Sequence, residues 1–268
     1  EKLKINKGSI EIIDYKVELL EKEPTPQNLT ERVLTLNYKK NLLKRNAVSK
    51  EELELLDKKI CSPPRDSNLS DKSINLESHF NASMFHYSNW HSNAENYDMR
   101  FLPDAYNGET PFDIRGLIQF NSGPFDNGKT ANEFGHIKGI NKYYPDSVEN
   151  IKINSKADKM HFLVGSLYAN EIEKGLTAFE ITINYEDGTN SVLALKAKED
   201  IFDWWGSDWA DSIDAENLGF LGPNNLGNDR FLTKPIWNNP SPEKVISHID
   251  LKSGLTKCAP FVVGITLE

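Results

Sequence analysis

Two patterns of apolar and polar positions divide the chain near residue 66. In the first part, "IIDYKVELL" sets Ile13, Tyr15, Val17 and Leu19 in alternation with Asp14, Lys16 and Glu18, a period of two that predicts a strand with one buried face. The prolines of "EKEPTPQN" end that element. Leu29, Val33, Leu36, Lys40 and Leu43 then recur at helical spacing, with basic residues gathered at the C-terminal end, where the helix dipole favours them. Ser49 and Glu52 form a capping-box signature for a second helix, whose apolar side is Leu53, Leu56 and Ile60. Because the connection "KRNAVSK" is short, the two helices are expected to pair as an antiparallel hairpin. "CSPPRDSNLSD", with two prolines and a run of polar turn formers, reads as a linker.

Beyond it the pattern changes to short strands separated by turn clusters. "DIRGLIQF", "KMHFLVGSLYA", "FEITINYEDGTNSVLALKA", "VISHIDL" and "PFVVGITLE" are rich in β-branched and aromatic residues, and "NYEDGTN" carries an Asp-Gly hairpin signal. In "FEITINY", Phe179, Ile181, Ile183 and Tyr185 share one face and Glu180, Thr182 and Asn184 the other. The expected fold is mainly β, an antiparallel jelly-roll-like sandwich with an N-terminal strand and a short α-helical hairpin. Residues 1–66 would hold the strand, hairpin and linker, and residues 67–268 the sandwich.

"FDIRGLIQF", "ADKMHFLVGSLYA", "ITINYEDGT", "EDIFDWW", "IWNNPSPEKVISHIDLKSG" and "APFVVGITLE" occur in an order that resembles bacterial envelope and secreted β-sandwich domains of the galactose-binding-like and NPCBM type, a group associated with carbohydrate binding. The resemblance covers about residues 74–268. It implies a noncatalytic jelly roll in an extracytoplasmic protein, secreted or periplasmic. Residues 1–60 are similar to the helical hairpin of periplasmic adaptor proteins, through "LLKRNAVSKEELELLDKKI", which implies a spacer or a docking element for a protein partner.

Charge narrows the partners. A net charge of −9 opposes binding to phosphate backbones and to anionic membrane surfaces, so no nucleic-acid partner is expected. No apolar run approaches the roughly 18–20 residues that span a bilayer. The opening "EKLKINKGSI" is neither a methionine start nor a signal peptide, as expected of a fragment or a processed chain. Cys61 and Cys258 are too few for a zinc site or a disulfide scaffold. They form either one bridge, worth about 4–5 kcal/mol on the chain-entropy model, or two unpaired thiols.

The densest chemistry lies in "EDIFDWWGSDWADSID". If this segment is extended, Trp204 and Trp205 project to opposite faces, and only one of them can anchor the core. An outward indole covers the C–H face of a pyranose while nearby carboxylates accept from its hydroxyls, so Trp204, Trp205, Asp208, Trp209 and Asp211 are the candidate ligand-binding residues. In the competing reading both tryptophans are packed and the aspartates cap a turn. The same carboxylates offer an irregular site for a structural calcium ion, although the spacing and central glycine of an EF-hand are missing. No other cofactor or metal is expected.

"GPFDNGKT", Gly123 to Thr130, matches Walker A spacing, but "TANEFGHIKGINKYYP" has glycines and a proline where the phosphate-facing helix should run, so an exposed loop is expected. Asp98, Asp104, Asp113, Glu199, Asp203 and Asp208 include no pair marked out for glycosidase chemistry. His79, His86 and His91 near Trp90 match no metal-binding spacing. Arg115, set among apolar strand residues, is expected to form an architectural ion pair with Asp113 or with an acid of the Asp–Trp segment. Trp90 and Trp237 are expected to be structural.

Overall fold

The structure is a computed structural model that describes residues 7–45, 48–84, 99–133, 144–205, 208 and 210–268. Its first described elements are helices α1 (Lys7–Lys22), α2 (Pro26–Lys44) and α3 (Lys50–Cys61). The expected N-terminal strand is therefore replaced by α1. The alternation of Ile13, Tyr15, Val17 and Leu19 also contains the helical pair Ile13 and Val17, and these two are buried while Tyr15 and Leu19 stay exposed. Packing of that i, i+4 pair toward α2 outweighs the strand preference of the isolated segment.

The hairpin forms as the pattern predicts. Ser49 Oγ accepts from the Glu52 amide at 3.2 Å and Glu52 Oε2 accepts from the Ser49 amide at 3.2 Å, which closes the capping box of α3. Thr25 caps α2 by accepting from the Asn28 amide at 3.2 Å. Lys40, which shares the apolar stripe of α2, is buried and its ammonium pairs with Asp57 on α3. Lys16–Glu31 and Lys39–Asp14, each 2.5 Å, join α1 to α2.

Among the described residues, eleven strands follow in two antiparallel sheets. One contains β1 (Ala82–Ser83), β2 (Gly116–Gln119), β4 (Lys159–Leu167), β7 (Leu218–Pro223), β8 (Asp229–Thr233), β9 (Ile236–Asn238) and β11 (Ala259–Leu267), in the order β1-β2-β11-β4-β8-β7 with β9 also on β4. The other is β3 (Ser147–Ser155), β10 (Ile246–Ser253), β5 (Thr177–Tyr185) and β6 (Asn190–Lys196), in the order β3-β10-β5-β6. On β5 the predicted alternation holds: Phe179, Ile181, Ile183 and Tyr185 are buried and Glu180, Thr182 and Asn184 are partly exposed. The β5–β6 turn uses Gly188 at φ +83°, and Asp187 accepts from the Thr189 amide at 2.9 Å.

The seven-stranded sheet is buried on both faces. On β4, Met160, Phe162 and Val164 enter the core between the sheets, whereas Leu163 joins a second cluster with Leu117, Phe261, Val263 and the helical residues Val17, Leu29, Val33, Leu36 and Ile60. The three helices thus share one apolar cluster with the outer face of the sheet. This explains why "KMHFLVGSLYA" reads as a nearly continuous apolar run rather than an alternation. Each large side chain so buried contributes about 1.5–3 kcal/mol.

Cys61 and Cys258 both lie in the inter-sheet core as unpaired thiols, and burial raises the pKa of each. Trp237 is buried on β9 in the same core. Arg115 donates to Asp113 through Nε at 2.7 Å and Nη2 at 3.0 Å, a two-pronged pair sealed from solvent. Its remaining donors reach Pro63 O at 2.8 Å, Glu77 Oε2 at 3.1 Å and Asn75 Oδ1 at 2.7 Å, so one guanidinium ties the linker to the sandwich.

Candidate functional site

The Asp–Trp segment enters the seven-stranded sheet where β4 and β8 diverge. The Ser166 amide donates to Phe202 O at 3.1 Å, the Trp204 amide to Ser166 O at 3.0 Å and the Phe231 amide to Trp204 O at 3.0 Å. Paired on both sides, Phe202 to Trp205 act as a short wedge between those strands. Asp203 Oδ1 accepts from the Trp205 amide at 3.0 Å, and the backbone bends at Trp204.

The bend changes the expected side-chain geometry. Trp204 is 2% exposed and belongs to the helix-side cluster, while Trp205 is 39% exposed, so one ring is an anchor and the other meets solvent. The rings do not diverge to opposite faces. Their centroids are 5.7 Å apart at 82°, and both meet the buried guanidinium of Arg230, whose central carbon lies 4.9 Å from the Trp204 centroid and 3.6 Å from that of Trp205. Arg230 Nη1 also donates to Asp229 O at 2.6 Å. A cation against an indole face is attracted by the ring quadrupole, more strongly when water is excluded, so Arg230 packs against the Trp205 ring where it reaches the surface.

Asp208 and Asp211 are exposed beyond this pair, and Asp211 lies within the 3₁₀ turn Ala210–Ser212. Trp209 and Trp90 lie outside the described residues, as do His86, His91 and Asp98. Among the described residues no group of three or more His, Cys, Asp or Glu side chains is placed to hold a metal ion.

The remaining sequence candidates are dispersed. Asp113 is committed to Arg115 and Asp203 to the Trp205 amide, while Asp104 and Glu199 are exposed. His79 is partly buried, which lowers its pKa. In the Walker-like loop the Phe125 amide donates to Lys129 O and the Gly128 amide to Phe125 O, both at 2.8 Å, with Gly128 at φ +75°. At Gly123 a β-carbon would come within 1.8 Å of Leu255 O. These glycines therefore serve a turn and a close backbone contact rather than a phosphate cradle.

Arg230 was not marked by the sequence pattern. Its one local signal is "NDRFL", where a charge precedes an apolar pair on a strand. No helix of the described residues is long and apolar enough to cross a membrane. A scan against protein-family models matches no family, and a search of curated proteins finds no match.

Proposed function

We propose that the sandwich is a noncatalytic carbohydrate-binding module of a secreted or envelope protein, and that Trp205 is its contact platform. One observation carries this reading: a solvent-exposed indole stacked against a buried arginine, with the carboxylates of Asp208 and Asp211 exposed a few residues further on. A flat aromatic ring at the surface offers a stacking platform, and a ring already packed on one face by a neighbouring side chain loses less entropy on binding than a free one. Carboxylates beside it suit sugar hydroxyls, which donate hydrogen bonds. The sandwich architecture and the resemblance of residues 74–268 to galactose-binding-like and NPCBM-type modules support the same class. Affinity electrophoresis through gels cast with a panel of polysaccharides tests the proposal: at least one glycan should retard the protein, and Trp205→Ala should abolish the retardation.

A second reading, a protein-docking role for the helices, rests on a separate observation. Ile12 and Tyr15 are 71% and 61% exposed and share one face of α1 with the exposed Leu19, while α2 shows Leu34 and Tyr38 at i, i+4. A partner held by that face would be insensitive to Trp205→Ala and lost with Ile12→Asp.

A further inference from the structure

A cavity of about 1010 Å³ lies among the three helices, the Ser62–Pro64 linker and the sandwich edge at Asn75 and Glu77. Most of its open surface is apolar, with Leu43, Leu55 and Leu56 on the wall, and Lys39, Glu52, Lys58 and Lys59 also line it. Arg32, which on α2 follows the core position Leu29 and precedes Val33 and Leu36, also lines it and is only 2% exposed. Nε of Arg32 donates to Glu21 Oε1 at 2.6 Å and Nη2 donates to Ser62 O at 3.1 Å. Nη1 is buried and has no acceptor among the described residues.

Such a donor is costly to leave idle, because the guanidinium keeps its charge and a buried polar group without a partner forfeits its hydration. Charge around it points the same way. Glu21 is shared by Arg32 and by Lys59 at 4.0 Å, so two cations face one carboxylate. Glu77 is drawn to Arg115 at 3.1 Å. Burial pulls the Arg32 pKa down against the opposing pull of Glu21, as expected where one more anion would be accommodated. Apolar walls, room for a small molecule and an idle cationic donor together describe the complement of an anionic oxygen on an apolar body.

We propose that this cavity binds a small amphiphile with a carboxylate or phosphate head group on an apolar chain, with Arg32 and Lys59 at the head-group end and Leu43, Leu55 and Leu56 against the chain. The site is separate from Trp205 and does not depend on the glycan reading.

Isothermal titration of the full chain with decanoate, decyl phosphate, decyltrimethylammonium and decyl maltoside, each below its micelle concentration, tests the proposal. Saturable binding of one or both anions, with neither the cation nor the neutral amphiphile binding, is expected, and the tighter anion identifies the head group. Arg32→Gln should abolish binding. Because Arg32 also holds Glu21 and Ser62, Leu55→Glu at the 70% exposed rim serves as the variant that leaves folding intact, and it should weaken anion binding about tenfold or more while thermal melting stays unchanged. No saturable anion binding up to about 1 mM, equal binding of the cation, or undiminished binding to Leu55→Glu would each overturn it.

Discussion

The guanidinium of Arg230 lies over the ring of Trp205, 3.6 Å from its centroid, and the same side chain touches the buried Trp204. A surface aromatic is thereby coupled to the helix-side core through one cation. Arg230→Ala should cost about 2 kcal/mol of stability, from a desolvated cation–π contact and the lost packing of the stem. Trp205 emission should shift to the red as its ring becomes mobile and wet. Urea denaturation and fluorescence measure both effects, and an unchanged spectrum would show that Arg230 does not hold the ring.

The Arg115–Asp113 pair makes a different prediction because neither partner meets solvent. Asp113→Ala leaves a buried guanidinium with its main counter-charge removed, at a cost of about 3 kcal/mol. Equilibrium unfolding should show that loss, and a change below about 1 kcal/mol would contradict the architectural role.

Both thiols are buried and their pKa values are raised by burial. The folded protein should therefore resist thiol reagents until it unfolds, and reductant should leave its melting temperature unchanged. The sign for pH follows: stability is intact below the ordinary thiol range near ~8.5 and declines above it, by at most about 1.4 kcal/mol per pH unit for each thiol, because only the unfolded chain releases those protons. Rapid labelling of the native protein at neutral pH would contradict this.

The capping box at Ser49 and Glu52 sets the start of α3. Ser49→Ala should lower stability by about 1 kcal/mol. Because the cap holds only the first turn of α3, while Leu56 and Ile60 further along remain in the helix-side cluster, hydrogen exchange in Ser49→Ala should rise at the start of α3 before it rises in β4.

Legibility in the sequence followed the locality of the signal. The α3 cap, the Asp-Gly turn before β6 and the one-sided burial of β5 depend on residues a few positions apart, and each was readable. The α1 segment was not, because Ile13 and Val17 satisfy both a period of two and an i, i+4 helical pair, and only packing with α2 decides between them. The exposed and buried members of the Trp204–Trp205 pair fit a reading of adjacent residues. Their convergence does not, since it depends on Arg230, twenty-five positions further along and brought close by the pairing of Phe231 with Trp204. Lys40 was visible as the charge within the apolar stripe of α2; Arg32 lies beside that stripe and was not marked, because its burial and idle Nη1 depend on Ser62 and Glu21, which local sequence does not place.

The most direct test of the central claim is affinity electrophoresis of the wild-type chain beside Trp205→Ala and Trp204→Phe on a polysaccharide panel. Retardation by a glycan that disappears in Trp205→Ala and persists in Trp204→Phe is the predicted result. Unretarded migration on every polysaccharide, or retardation that survives the loss of the Trp205 ring, would contradict it.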